Sequence, residues 1–324
     1  MIRRGKIDRP LALLVGAAVV GGALLFASAA FGLLARGADN MGSVFVKHLG
    51  FGVGGGFTLL LLAATADYRH LRRFAPHFFA AALFLTALVF VPQIGFTHGG
   101  GTRWLILWKL SLQPSEILKL VVIIMAAAYC ATMRGKIATV RWGLGGYLAL
   151  LGLPALLLIL QPDIGTLGVI ALSGLAVFWA AGLSLRDIAL VAFLGILALG
   201  TLFYTQPHVR ERIITFMNPA QEKRGQGYQI NQSLIAIGSG GFAGRGFGQG
   251  LQKFTYLPEP MGDSIFAVAA EEIGFIGAVI IILLFLAIAL RGFFIAARAA
   301  DPFGAYAASG IAAYLGAEAF INIA

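Results

Sequence analysis

The sequence predicts an all-α polytopic membrane protein, a single bundle of about nine transmembrane helices, and three observations predict it. Hydrophobic residues make up 59% of the 324-residue chain and charged residues only 12%, against roughly 25% charged in soluble domains. Apolar runs close to the roughly 20 residues that a bilayer core requires recur from end to end. The runs are continuous, so each can satisfy its backbone amides as a helix; the polar-apolar alternation of a membrane barrel is missing.

The first run, 11–33, follows the basic stretch MIRRGKIDR. It is longer than the apolar core of a signal peptide and continues through the small residues 27–30 that resemble a cleavage site, so it reads as a retained span. Further spans are expected at 45–65, 76–93, 113–132, 143–160, 166–183, 187–204, 264–290 and 303–323. With the N-terminus cytoplasmic, 13 of the 24 Lys and Arg fall on inner loops, whereas the short outer loops hold Arg36, Lys47, Arg103 and Lys109. Six more occupy one large extracytoplasmic loop at about 205–262, near the length at which the positive-inside rule lapses. The net charge of +10 is therefore mostly topological and does not point to nucleic acid.

Soluble-enzyme motifs are missing. The five His are scattered without H-E-x-x-H spacing, and the chain has no C-x-x-C and no G-x-x-x-x-G-K-[ST], so zinc and P-loop chemistry are not indicated. Cys130 is the single cysteine and falls inside the fourth span, which leaves no intramolecular disulfide.

Polar residues inside or beside spans say more, because each is costly unless paired. Glu116 and Lys119, three residues apart, share one helix face; they either pin two helices or line a polar cavity that opens outward. QPDIGT (161–166) reads as a tight outer turn that holds Asp163 at the membrane surface. GSGGFAGRGFGQG (238–250) is either a flexible loop or a backbone that approaches an anionic ligand, with Arg245 supplying charge. Glu259 and Asp263 stand at the mouth of the eighth span, and Glu271 and Glu272 lie about two turns inside it. Asp263, before an apolar run, reads as a helix cap. It also reads as a general base for a lipid-linked substrate whose phosphates the loop's Arg and Lys hold, and the two readings are compatible.

Four segments, RWLILWKLSLQPSEILKL, QPDIGT, GYQINQSLIAIGSGGFAGRGFGQGLQKFTYLPEPMGD and IFAVAAEEIGFIGA, together resemble the shape, elongation, division and sporulation (SEDS) family of bacterial membrane proteins, the relatives of RodA and FtsW. The resemblance covers nearly the whole chain. NQSL and QKFTYLPE are closer to the division-type FtsW branch than to the RodA branch. The resemblance implies a peptidoglycan glycosyltransferase of the cytoplasmic membrane that polymerises lipid II on its outer face, for septal wall synthesis. It places the catalytic base on Asp263. Arg245, Arg210, Arg212 and Lys253 would hold the diphosphate, with no cofactor unless a divalent cation accompanies it. Glu116 and Lys119 match a paired position of the family's fourth span, and Glu259 matches the Glu of its LPE motif without an assigned role. Asp163 joins the expected substrate-binding set. A class B penicillin-binding protein transpeptidase is the expected partner.

Three departures stand out. The family's HTDF reads MGDS at 261–264, Glu318 stands where Gln is usual, and Ala324 falls inside the ninth helix, where the family continues to a tenth. Three alternatives compete with the transferase: a lipid II flippase using Glu116, Lys119, Glu271 and Glu272 as a polar path, a non-catalytic divisome scaffold, and a ligase acting on another polyprenyl glycan.

Overall fold

A computed structural model describes residues 7–35, 46–98, 101–107, 110–218 and 225–323. Helices occupy every expected span. The helix α1 is Arg9–Ala35. A π-helical stretch Lys47–Gly54 runs into α2, Gly55–Thr65, and α3 is Arg69–Ala87. Then come α4 Pro114–Thr132, α5 Leu144–Leu160, α6 Ile164–Ala180 and α7 Leu185–Thr205. The segment expected as one long loop carries three helices, α8 Pro207–Met217, α9 Gln226–Ser239 and the single turn α10 Gln252–Thr255. Finally, α11 is Ile265–Ala297 and α12 is Pro302–Ile323. Among the described residues six helices are long and apolar enough to cross a membrane by length and composition, and α5 and α6 are shorter apolar helices.

The all-α expectation misses a small antiparallel sheet between α3 and α4, with β1 Gly95–His98, β2 Gly101–Leu107 and β3 Leu110–Leu112 in the order β1-β2-β3. Phe96 pairs with Trp104 and Thr97 with Thr102 across β1 and β2, with an irregularity between Phe96 and Thr97. The glycine run between two alternating stretches is the hairpin signal in the sequence.

By contacts the chain clusters into two compact units: Met1–Thr65, Leu194–Ala287 and Asn322–Ala324 make the first, and Ala66–Phe193 and Ile288–Ile321 the second. The second is built around α4. Pro114 opens that helix with its φ preset and no donor lost, and Leu118, Val122, Ile123, Ala126, Ala127 and Cys130 bury one face. Ala75 of α3, Tyr147 of α5, Val177 and Phe178 of α6 and Phe303 of α12 pack on it. Gly310 lets α12 come close: a Cβ there would stand 2.5 Å from the Cγ2 atoms of Ile123 and Val177. Small residues at such crossings are how helices associate where lipid removes the hydrophobic drive. The first unit has a smaller core of Ala29 from α1, Ala236 from α9, Leu257 after α10, and Ala267 and Val268 from α11, with Met261 packed against it.

Candidate functional site

In the first unit, α11 does not run unbroken. At Gly274 the backbone takes φ 68° and ψ −172°, a region that in practice only glycine occupies. A break inside an apolar span strands backbone donors and acceptors, each costing several kcal/mol in hydrocarbon unless paired. The glycine-rich segment supplies the partners. The amides of Arg245 and Gly246 donate to the carbonyls of Glu271 and Glu272, each at 3.0 Å, and those of Phe275 and Ile276 donate to Gly241 and Phe242 at 2.8 and 3.2 Å. A Cβ on Gly240 would overlap the Ala270 carbonyl, and one on Gly244 that of Glu272. The segment is not a free loop: its glycines at 240 and 244 are shaped to the protein's own broken helix, while Arg245 keeps an exposed side chain.

The same approach buries two carboxylates, Glu271 at 0% and Glu272 at 1% exposure. Glu271 accepts from the amides of Leu251 at 2.8 Å and Gln252 at 3.2 Å, with the Arg245 guanidinium 3.8 Å away. Glu272 accepts from the Gly248 amide at 3.0 Å, the Ser28 hydroxyl at 2.6 Å and the Lys253 ammonium at 2.5 Å. Lys253, wholly enclosed, also donates to Ser28 Oγ at 2.7 Å. The expectation that Lys253 holds a substrate diphosphate is therefore corrected. A charge with no solvent access is neutralised by its internal partner and has no face left for a ligand. Nor can Glu271 and Glu272, already engaged, line an open polar path.

The turn that bears Asp263 lies in the chain between Lys253 and Glu272. Glu259 has a φ of +44°, rare for a residue with a Cβ, and its carbonyl accepts from the amides of Gly262 at 3.0 Å and Ser264 at 3.4 Å. Ser264, not Asp263, occupies the cap position. Its carbonyl accepts the first helical bond from Val268 at 3.2 Å, and its buried hydroxyl accepts from Gln229 Nε2 of α9 at 3.2 Å. Asp263 stands one residue earlier and exposed, so its expected capping role is corrected. Among the described residues no side chain or amide pairs with its carboxylate, which is free to meet a ligand. The exposed Arg245 is braced by the Ser239 carbonyl at 3.3 Å. Arg210 and Arg212 are exposed on α8, and Arg210 lines an open cavity of about 460 Å³ with Phe203, Tyr204, Glu211 and Thr215.

The second unit holds the other candidates. Lys119 is buried with its ammonium between two carboxylates, Glu116 at 3.0 Å and Glu318 of α12, and 5.4 Å from the Tyr314 ring centre. Glu116 is half exposed. The i, i+3 spacing revealed the first pair; Glu318, from the far end of the chain, carried only its unusual residue type as a signal. Asp163 caps α6, accepting from the Thr166 amide at 3.4 Å. Arg103 of β2 lies 3.9 Å from it and also donates to the Gln161 and Pro162 carbonyls. The sheet overlooked in the sequence is thus what brings a cation to Asp163.

Comparison with known proteins places these features in context. The FtsW, RodA and SpoVE family of cell cycle proteins matches residues 9–324. A probable peptidoglycan glycosyltransferase FtsW of Geobacter sulfurreducens is 37% identical over 87% of this chain and 76% of its own length. Stage V sporulation protein E of Bacillus subtilis is 34% identical over 86% and 76%. Among solved structures, a chain from a peptidoglycan synthase complex that coordinates polymerization and crosslinking aligns with a TM-score of 0.72 and 28% identity, covering 94% of this chain and 85% of that one. The rod shape determining protein RodA of Thermus thermophilus aligns with 0.67 and 26% identity, covering 98% and 84%.

Proposed function

Since the chain belongs to the FtsW, RodA and SpoVE family, we propose that it is a peptidoglycan glycosyltransferase of the division type, a multi-pass membrane protein that polymerises lipid II at the outer face of the cytoplasmic membrane. The N-terminus is cytoplasmic in this reading, which puts the turn bearing Asp263 outside. The observation that carries the reading is the isolated carboxylate of Asp263, exposed on a turn that Glu259 and Ser264 hold firmly from both sides.

The acceptor's sugar 4-hydroxyl attacks the anomeric carbon of the donor glycan. Asp263 takes the hydroxyl proton as the new C1–O4 bond forms, and the bond from C1 to the diphosphate breaks with its electron pair leaving on undecaprenyl diphosphate. Attack opposite the leaving group inverts the anomeric centre, as a base on one face and charge stabilisation on the other require. Arg245, Arg210 and Arg212 are exposed in the first unit and would receive the diphosphate. Among the described residues no three His, Cys, Asp or Glu gather as a metal-binding group; a divalent cation accompanying the diphosphate stays a proposal, and no step is routed through it. In the second unit Glu116 is the half-exposed carboxylate able to meet substrate; Lys119 and Asp163 are buried and would act on substrate only through Glu116 and Arg103, which they hold. A class B penicillin-binding protein is the proposed partner, in keeping with the synthase complex whose chain this fold resembles.

Lipid II supplied to proteoliposomes of the full-length protein and its transpeptidase partner tests the reading. Glycan strands from wild type support it; translocation of lipid II without any polymer would replace it with the flippase alternative, and neither product would favour the scaffold.

A further inference from the structure

We propose that Lys253, Glu272 and Ser28 are positioning residues of the transfer reaction, a buried clasp that fixes where Asp263 stands. The proposal rests on Asp263 as the proton acceptor. Lys253 precedes Asp263 and Glu272 follows it, 19 residues apart, and their ion pair of 2.5 Å joins the two ends of the segment that carries the turn. Glu271 doubles the closure by accepting from the Leu251 and Gln252 amides. Ser28 then ties the closed segment to α1, donating to Glu272 and accepting from Lys253. At Gly32, one turn along, α1 comes so near that a Cβ would stand 3.0 Å from the Lys253 carbonyl carbon. Above the clasp, Leu257 is fully buried in the core shared by α1, α9 and α11.

The chemistry of the pair says what it is for. Lysine is almost never fully enclosed, and a buried ion pair is no more stabilising than well-packed apolar side chains of the same volume. What Lys253 and Glu272 add over such a pair is direction: the carboxylate receives three different donors, from α1, from the glycine-rich segment and from α10, so it accepts only one arrangement of the three. That arrangement sets the height of the turn, and a displacement of about 1 Å at a reacting group can cost on the order of a hundredfold in rate.

The test uses the full-length protein with its transpeptidase partner and follows lipid II polymerisation and thermal unfolding together. Lys253→Met and Glu272→Gln singly, and the neutral pair combining them, are compared with wild type. The single variants are expected to lower kcat by about 10- to 100-fold with KM within about twofold. The neutral pair is expected to recover the unfolding midpoint while its kcat stays at least about tenfold down. Wild-type kcat in the neutral pair would reduce the clasp to packing and overturn the proposal. So would a raised KM at unchanged kcat, which would make Lys253 a substrate ligand. Asp263→Asn in the same series separates the two claims. If it is inactive while the neutral pair is fully active, only the positioning claim fails; if it is fully active, the reading beneath the proposal fails and takes the proposal with it.

Discussion

Replacing Gly274 by alanine should be among the most damaging single-methyl changes in the first unit. Two costs add. The φ of 68° with ψ of −172° carries a strain of about 1–3 kcal/mol for a residue with a Cβ. The new methyl would also lie 2.6 Å from the Phe242 carbonyl oxygen and 2.7 Å from the Ala243 carbonyl carbon, backbone atoms that cannot rotate away. Moving them strains the four hydrogen bonds that close the break, at about 1 kcal/mol for each one lost. A total of about 3–5 kcal/mol follows, or a fall of roughly 6–15 °C in Tm. Thermal unfolding of the detergent-solubilised protein measures it, with two internal standards. Gly248→Ala shares the positive φ, at 80°, but meets nothing within 4 Å, so only the strain of about 1 kcal/mol applies. Gly16→Ala sits helical and open in α1 and should match wild type or gain slightly from helix propensity. If Gly274→Ala unfolds within about 1 °C of Gly16→Ala, the reading of the glycine-rich segment as the partner of a broken helix is wrong.

Three further predictions rest on separate observations. At Glu259 the φ of +44° strains any residue with a Cβ, so Glu259→Val should unfold about 1–3 kcal/mol less stably than Glu259→Gly, read from denaturation midpoints; equal midpoints would contradict the strain. At Lys119, replacement by Met leaves two carboxylates without their cation, whereas Glu318→Gln leaves the Glu116 pair intact; the lysine variant should show the larger loss of Tm, and equal losses would contradict the bridging role. The third concerns the loops before α3 and α12. Burial pushes the Asp301 carboxyl up, but the Tyr68 hydroxyl and the Gly304 amide donate to it, and with Arg69 nearby they hold its pKa below the ordinary value. That hydrogen bond in turn raises the Tyr68 pKa. The depressed Asp301 stabilises the fold above about pH 4 and loses its contribution as pH falls through its lower folded value; the raised Tyr68 contributes below about pH 10 and loses it as pH climbs through its folded value. The Tm difference between wild type and Asp301→Asn should accordingly persist at neutral pH and vanish in acid; a difference unchanged by pH would refute the pairing.

The helices were legible because apolar length is a local property that needs no knowledge of neighbours. The exposed position of Asp263 followed from the same reading, since it ends the polar segment where the eighth span begins. What stayed hidden is whatever depends on contacts between distant residues. Ser28 lies 244 positions from Glu272 and Lys119 lies 199 from Glu318, so no spacing rule could reveal either pair. Lys253 carried the same sequence signal as any loop cation, and only the partner opposite distinguishes a buried clasp from a phosphate ligand. The glycines at 240–250 were ambiguous for the same reason: they suit a flexible loop as well as a close approach, and only the partner backbone of α11 distinguishes the two. Only the hairpin at 95–107 was readable in principle, from its glycine run between alternating stretches, and was masked by the strongly apolar helices on either side.

The central claim is that Asp263 is the base. The most direct measurement is the rate of lipid II polymerisation by the full-length protein with its transpeptidase partner, wild type against Asp263→Asn, with both unfolding midpoints recorded. Because the carboxylate caps no helix and makes no internal bond among the described residues, the account predicts an unchanged midpoint and a rate lowered by about 10²- to 10⁴-fold, the range expected for losing a general base. An asparagine variant that polymerises at the wild-type rate would contradict it.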